Sequence, residues 1–377
     1  MPLRIALATP NRDQWSETFI SAHIKRLERV VAVLTRGLPP RRMDGRHLLL
    51  PRSIPQRLRS QWEHRVRGLG TEEVLWRQTA RALRQRGVQV MLAEYGHLAQ
   101  TLVPACQAAG IPLVAHFHGR DAHAYALVEE YGNYALLFRH AAAIVVVSRA
   151  MEQRILELGA PKERVHYNTY GVDLGLFTPG TPGLNPPRFI GVGRFVDKKA
   201  PQLTLMAFRE AWRQRPEARL TLVGDGALRE SVRQLVQVWG MGQAVELPGV
   251  LPPAEVAARL RGARAFVQHS ATPADGDSEG TPVAVLEAMA SGLPVIATRH
   301  AGIVDVVAEH ERGLLGDEYD VQAMAAHMVQ LIDSPDQASA MGLAGRTYAE
   351  QHHQVQDSMA RLQHILARAA GLASDHP

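Results

Sequence analysis

The segment DGDSEGTPVAVLEAMASG, Asp275 to Gly292, carries two glutamates eight positions apart, Glu279 and Glu287, behind two aspartates that flank a glycine. Acids so placed can hold a metal ion, move a proton or accept hydrogen bonds from hydroxyl groups. Thr281 is a good helix N-cap and Pro282 suits a first helical position, so VAVLEAMASG is expected to run as a helix that stops at Gly292. A helix start presents unpaired amides and the positive end of a dipole, which suits phosphate. Glu279 precedes that start, and Glu287 lies six residues inside, about 9 Å along the axis at ~1.5 Å per residue. The two acids therefore bracket a phosphate site. A nucleotide sugar has the same order: sugar hydroxyls, diphosphate, ribose hydroxyls. Alone, such a pair would describe nothing more than a solvated helix face.

It is not alone. Gly191-Val192-Gly193-Arg194-Phe195-Val196-Asp197-Lys198-Lys199 follows an expected strand. It lacks the third glycine of a dinucleotide fingerprint, but a tight turn there puts Arg194 and Lys198 or Lys199 over the strand end, two cations where a diphosphate needs them. Val223-Gly224-Asp225-Gly226-Ala227 is a second glycine-rich turn that either admits a ligand or simply reverses the chain. Asp275-Gly276-Asp277 spells a D-x-D of the kind that holds a divalent ion under a diphosphate. With two cations and a helix start already available for the phosphates, no metal is expected. Asp277 is instead expected on a sugar hydroxyl.

The elements that must position these residues follow an α/β plan. Short aliphatic runs alternate with amphipathic segments, the pattern of parallel βα units. Strands are expected at Leu3–Ala8, Val88–Ala93, Pro112–Phe117 and Ala143–Val147, then at Arg188–Val192, Arg219–Val223, Ala244–Leu247, Ala265–Gln268 and Pro294–Ala297. Helices are expected at Glu17–Arg29, Glu72–Arg86, Leu98–Ala109 and Arg149–Leu158 in the first half, and at Pro201–Arg213, Ala227–Trp239, Ala254–Arg261, Pro282–Ala290 and Val321–Ile332 in the second. Residues 174–187, with four prolines and three glycines, break the pattern and read as an interdomain linker. The expected division is residues 1–173, the linker 174–187, a second domain 188–346, and a C-terminal helical stretch 347–377 that packs back on the first domain. In open parallel sheets ligands meet the carboxyl ends of strands, so two such domains are expected to face each other across a cleft.

A chain of 377 residues is too long for one core and suits two domains. The longest apolar run, Ala141 to Val147, is far below the ~20 residues that span a bilayer, and the N-terminal start reads as a buried strand rather than a signal peptide. Cys106 is the only cysteine, which excludes an intrachain disulfide and fits a cytoplasmic protein. The net charge of +5 hides an asymmetry: residues 1–180 carry 24 Lys/Arg against 15 Asp/Glu, while residues 181–377 carry 18 against 22. Between Arg36 and Arg86 thirteen arginines face four acids. That segment is either a solvated surface or a face for something anionic, a lipid diphosphate, a nucleic acid or a membrane leaflet, the last of which would place the protein peripherally at the inner membrane face. No nucleic-acid motif accompanies the charge.

GVGRFVDKK, LVGDGALRE and EGTPVAVLEAMASGLPVIATRHAGIVDVV together resemble the nucleotide-sugar half of the retaining glycosyltransferases of family 4, which have the GT-B fold of two Rossmann-like parallel-sheet domains. The resemblance covers residues ~186 to ~346 closely and the first half more loosely, through AHFHGRDAH, VVVVSRAM and NTYGVDLGLFTP. It implies that Arg194 and Lys199, with Gly193, hold the donor diphosphate, Lys198 being the competing lysine. Glu287 would bind the ribose, and Glu279 with the Gly280 and Thr281 backbone would meet the transferred sugar and distal phosphate. His118 would reach over the sugar, oriented by Asp121, while His116 is assigned to the opposite face of its strand as a structural counterpart. The loop TPNRDQWSETFI lacks the glycine pair common in the family; Ser16 is expected to cap the helix beginning at Glu17 and offer its amides to donor or acceptor. The SETF wording is similar to the exopolysaccharide and lipopolysaccharide branch. The implied activity is a metal-independent hexosyltransferase with no cofactor, moving sugar from a nucleoside diphosphate to a glycan or lipid-linked acceptor with retention of configuration. Competing expectations are a nucleotide-sugar epimerase or hydrolase on the same fold, and a non-catalytic nucleotide-sugar-binding protein.

Overall fold

The computed structural model describes residues 2–10, 17–48 and 70–372. Packing divides the chain into two units: Met1–Val146, Glu152–Asn168 and Met359–Pro377 form unit 1, and Val147–Met151 with Thr169–Ser358 form unit 2.

Unit 1 is built on one sheet whose strands are β1 (Ile5–Ala8), β2 (Val30–Thr35), β3 (Arg42–Met43), β4 (Arg46–His47), β5 (Val90–Glu94), β6 (Leu113–His116), β7 (Ala143–Val146) and β8 (Val165–Tyr167). Their order is β4-β3-β2-β1-β5-β6-β7-β8. All pairs from β2 to β8 are parallel, and β3 and β4 add an antiparallel edge. The central strands are buried along their whole length, as parallel strands covered on both faces must be. On one side the core is made by Leu3, Ile5, Leu7, Leu92, Val114 and Val145, joined by Leu362, Ile365 and Leu366 of the helix Val355–Ala369.

Four of these strands, β2, β3, β4 and β8, are not among those expected from the sequence. The first helix ends at Arg26, not Arg29, because Leu27 is extended and Arg29 is left-handed (φ 47°). That frees VVAVLT to form β2. Asp44 and Gly45 (φ 49° and 78°) then turn β3 into β4, the backbone signature of a tight hairpin. β8 is three residues long and only half-buried, so it leaves almost no periodicity to detect.

Unit 2 carries β9 (Arg188–Val192), β10 (Arg219–Val223), β11 (Val245–Gly249), β12 (Ala265–Gln268), β13 (Val295–Thr298) and β14 (Gly313–Gly316) in the order β11-β10-β9-β12-β13-β14. All five pairings are parallel. The edge strand β14 was not expected either: GLLG has two apolar side chains between glycines, too few to set a period. Chain order runs outward in one direction from β9 and in the other from β12, so the switch point lies between these two neighbours. Open α/β sheets bind ligands at the carboxyl ends of strands at such a point. The loops that leave β9 and β12 carry GRFVDKK and the DGDSEGTP segment, and the topology alone sets them side by side. The stretch 174–187, expected as a linker, lies within unit 2: Gly180 donates its N–H to Ser291 O, and the Asn185 amide donates to the Arg261 and Ala263 carbonyls. Among the described residues no helix is long and apolar enough to cross a membrane.

Candidate functional site

In unit 2 the chain leaves β9 through Gly193, whose N–H donates to Val223 O on β10 (3.0 Å). The next residues pack against the second glycine turn, where Phe195 N–H donates to Asp225 O (2.9 Å). A Cβ on Gly226 (φ 154°) would fall 2.5 Å from Phe195 O, so this glycine lets two loop backbones meet. Of the two uses open to that turn, chain reversal and loop packing account for its glycine.

The turn Asp197–Lys199 then sends its lysines in different directions. Lys198 is buried, with Nζ 3.0 Å from Asp277 Oδ1 and 3.1 Å from Ser278 O. Lys199 lies with its stem along Gly193 and its Nζ 3.1 Å from Glu279 Oε1 and 3.3 Å from Gln268 Oε1. Burial pushes the Lys199 ammonium below its usual range, against the pull of Glu279. Burial alone would raise the Glu279 carboxyl, but Lys199 and Lys198 hold it below the ordinary value, and the two side chains form an ion pair. Beside it Arg194 is exposed, and its side chain makes no hydrogen bond or ion pair among the described residues. The geometry thus gathers Gly193, Arg194, Lys199 and Glu279, with Lys198 committed elsewhere.

One expectation changes here. Thr281 is not the helix cap. The helix runs Val283–Ala290 with Pro282 in the cap position, and the Thr281 hydroxyl donates to Val147 O (2.5 Å). A proline carbonyl can accept the first helical bond as well as any other, and the hydroxyl finds a stronger use in anchoring the loop. Asp277 pairs with Lys198, a contact that any sugar hydroxyl on this carboxylate would have to share. Asp275 accepts the Asp277 N–H (3.0 Å), so the DGD turn is organised by an internal hydrogen bond and a buried ion pair. Gly280 sits against Gly302: a Cβ on Gly302 would fall 2.3 Å from Gly280 O. Glu287 is half-buried, its carboxyl has no hydrogen-bond or ion-pair partner among the described residues, and burial pushes that carboxyl up to about 7. A carboxyl without a protein partner keeps its full capacity to accept from, and when protonated donate to, hydroxyl groups.

In unit 1 the expected His118 meets a carboxylate that sequence reasoning missed, together with His116 and His23. Glu94, the last residue of β5, is fully buried. Its Oε2 lies 2.9 Å from His118 Nε2 and 3.4 Å from His116 Nδ1, and its Oε1 lies 2.7 Å from His23 Nδ1. Burial opposes ionisation, but the three imidazoles outweigh it and hold Glu94 well below the usual carboxylate range. His116, desolvated, is pushed down to about 4 and is neutral. The expectation that His116 turns to the opposite face fails, because residues two apart on a strand share a face; its ring lies 4.4 Å from that of His118. Asp121 acts on the loop backbone, accepting the N–H groups of His118 (2.9 Å), Gly119 (3.1 Å) and Gly96 (2.8 Å), while Glu94 and the rings of Phe19 and Tyr95 hold the imidazole. Ser16 lies outside the described residues. The helix Thr18–Arg26 starts with Glu17, not Ser16, in the cap position, and Glu17 accepts from the Tyr95 hydroxyl (2.8 Å).

His23, Glu94 and His116 each offer an atom within 4.8 Å of the others, a donor set that a transition ion accepts. Ligand atoms around a tetrahedral ion with bonds of ~2.0–2.1 Å stand roughly 3.3 Å apart. The 2.7 Å between His23 and Glu94 is a hydrogen-bond distance, so here a proton joins the pair. A sequence signal for Glu94 existed in AEYG at a strand's end, but nothing in a single chain ties it to HFH some twenty residues later.

Residues 20–171 match the family described as glycosyl transferase 4-like domain, and residues 180–348 match glycosyl transferases group 1. A putative colanic acid biosynthesis glycosyltransferase, WcaL, of Salmonella typhimurium is 34% identical over 218 residues, covering 57% of this chain and 53% of that protein. The amylovoran biosynthesis glycosyltransferase AmsK of Erwinia amylovora is 30% identical over 260 residues, 68% of this chain and 64% of that protein. The chain thus spans between half and two thirds of the length of these relatives. Among solved structures, HepE of Anabaena in complex with UDP and glucose superposes with a TM-score of 0.74 at 16% identity, over 96% of this chain and 98% of that one. Sucrose-phosphate synthase from Thermosynechococcus elongatus gives 0.72 at 18% identity, over 98% and 100%. Both likenesses concern the fold, which is GT-B.

Proposed function

We propose, for a chain that belongs to the glycosyltransferases through its glycosyl transferase 4-like and group 1 domains, that it moves a sugar from a nucleoside diphosphate to a glycan or lipid-linked acceptor in cell-surface polysaccharide synthesis. The observation that carries this reading is the set at the β9/β12 switch point: an Arg194 side chain and a Glu287 carboxyl without partners among the described residues, on either side of the Lys199–Glu279 ion pair in sequence order of the two loops. Two cations suit a diphosphate, and the acids suit hydroxyls on either side of it. The relatives named for colanic acid and amylovoran synthesis support the polysaccharide context, and HepE with UDP and glucose supports a nucleotide-sugar donor.

In this scheme Arg194 and Lys199 offset the charge that grows on the departing nucleotide, an electrostatic contribution that is often the largest in catalysis. The Lys199–Glu279 pair also ties the phosphate end to the sugar end. Glu279 and the Gly280 and Thr281 amides meet the sugar and distal phosphate, and Glu287 takes the ribose. In unit 1, His118, held by Glu94 and with its loop held by Asp121, acts on the transferred sugar. The acceptor attacks the face the nucleotide leaves, so configuration is retained. NMR of the product's anomeric centre tests this: an inverted linkage would overturn it. Donor consumed or isomerised at full rate without any acceptor would favour an epimerase or hydrolase. A basic face over Arg36–Arg86, of which residues 49–69 lie outside the described residues, would bring the protein to an anionic membrane. Salt-sensitive sedimentation with phosphatidylglycerol vesicles is then expected, and binding indifferent to salt would remove that contact.

A further inference from the structure

Behind the donor loop of unit 2 stands a histidine that neither its motif nor its sequence neighbours single out. His300, 2% exposed, follows β13. Its Nδ1 lies 2.5 Å from Glu318 Oε1, and its Nε2 lies 3.2 Å from the Glu279 backbone N and 3.3 Å from Ser278 Oγ. A backbone N–H only donates, so Nε2 must be bare and Nδ1 must carry the ring proton and give it to Glu318. The contacts therefore select one tautomer.

Glu318 is itself anchored. It accepts from the Thr272 N–H (2.7 Å) and hydroxyl (3.3 Å), and the next residue, Tyr319, donates its N–H to His269 Nε2 (2.8 Å). His269 is fully buried, and desolvation pushes it down to about 4, which keeps that nitrogen an acceptor. The loops after β12 and β14 are thus locked to one another, and His300 extends the lock to the peptide of Glu279. That residue is pinned twice, its N–H by His300 and its carboxylate by Lys199. A side chain fixed at both ends loses little freedom when it meets a ligand.

We propose that His300, backed by Glu318, is a positioning residue that presents Glu279 to the transferred sugar, so that it governs sugar recognition separately from nucleotide recognition. The inference rests on the assignment of Glu279 to the sugar. His300 touches no substrate itself; it acts through the Glu279 backbone.

The experiment compares binding of UDP with UDP-glucose, and of GDP with GDP-mannose, by titration calorimetry on the full chain. In the wild type the sugar adds affinity. His300→Ala should leave the bare nucleotide within about twofold and lose about tenfold in the contribution of the sugar, the scale of one hydrogen bond. His300→Gln should restore most of it, because the glutamine carbonyl can accept from Glu279 N–H while its amide faces Glu318. Equal loss of bare nucleotide and sugar nucleotide in His300→Ala would mean a general packing role and overturn the proposal. Glu279→Gln separates the two claims: if it keeps the sugar's contribution, the assignment of Glu279 is wrong; if it loses it while His300→Ala does not, the positioning role is wrong. Long-range proton–nitrogen NMR of the histidine rings gives a readout independent of any ligand. A proton on Nε2 of His300 would refute the tautomer on which the positioning depends.

Discussion

Glu287→Gln offers the sharpest test of how the site is built. In the folded chain this carboxyl titrates at about 7 against an ordinary 4.5, with burial as the cause. At ~1.36 kcal/mol per tenfold change, ionising it in place costs about 3 kcal/mol at most, and about 2 once its remaining solvent access is allowed for. The sign follows from proton counting. Between 4.5 and 7 the folded chain holds this proton more often than the unfolded chain does, so stability falls as pH rises through that window and is level above it. Glutamine removes the titration. Its stability gain should be near zero at about pH 4 and grow to about 2 kcal/mol by about pH 8. Urea denaturation across that range, at unchanged slope, reads the difference directly. The same variant should bind the recognised nucleotide several-fold more weakly, and Glu287→Ala more weakly still, because the carboxyl is kept where it is costly for the sake of a ligand. A Glu287→Gln protein with the wild-type pH slope would refute the desolvation argument. Wild-type nucleotide affinity in Glu287→Ala would refute its place on the ribose.

Arg194→Ala should fold normally, since the side chain makes no hydrogen bond or ion pair among the described residues, and should lower kcat by roughly a hundredfold with a smaller effect on KM; steady-state kinetics decide, and unchanged turnover would remove it from the leaving-group role. Glu94→Gln should cost about 3 kcal/mol of stability near neutral pH by leaving three buried imidazoles without their anion. Because Glu94 is held well below 4.5, the wild type should lose that contribution as pH falls below the ordinary carboxylate value, and denaturant titrations at successive pH values should show the difference from the variant shrinking there. Gly302→Ala places a Cβ 2.3 Å from Gly280 O, so calorimetry should show a loss of about 1–3 kcal/mol and weaker binding of the sugar nucleotide than of the bare nucleotide.

Much of this architecture is legible in the chain. Strands β9 to β13 and the helices Pro201–Gln214 and Val321–Asp333 fall where the alternation of apolar runs and amphipathic segments puts them, because a parallel sheet covered on both faces demands that pattern. The paired signals GVGRFVDKK and EGTPVAVLE announce cations and acids in a strand-end setting. Less was legible where elements are short or context decides. β2, its hairpin, β8 and β14 are stabilised by neighbours already in the sheet rather than by their own periodicity. Thr281 looks like a cap because caps are local, yet a carbonyl 134 positions away takes its hydroxyl.

By itself, then, the sequence determined the α/β alternation, the loops that carry chemistry and the residue types within them, since these depend on contacts within a few positions. The tertiary structure alone decided which lysine pairs with Glu279, that Asp277 serves Lys198, and that Glu94 and His300 are the groups behind His118 and Glu279. Each of those choices is made by charges and hydrogen-bonding atoms that are distant in the chain and meet only at strand ends, where burial makes an unpaired charge too costly to leave to chance.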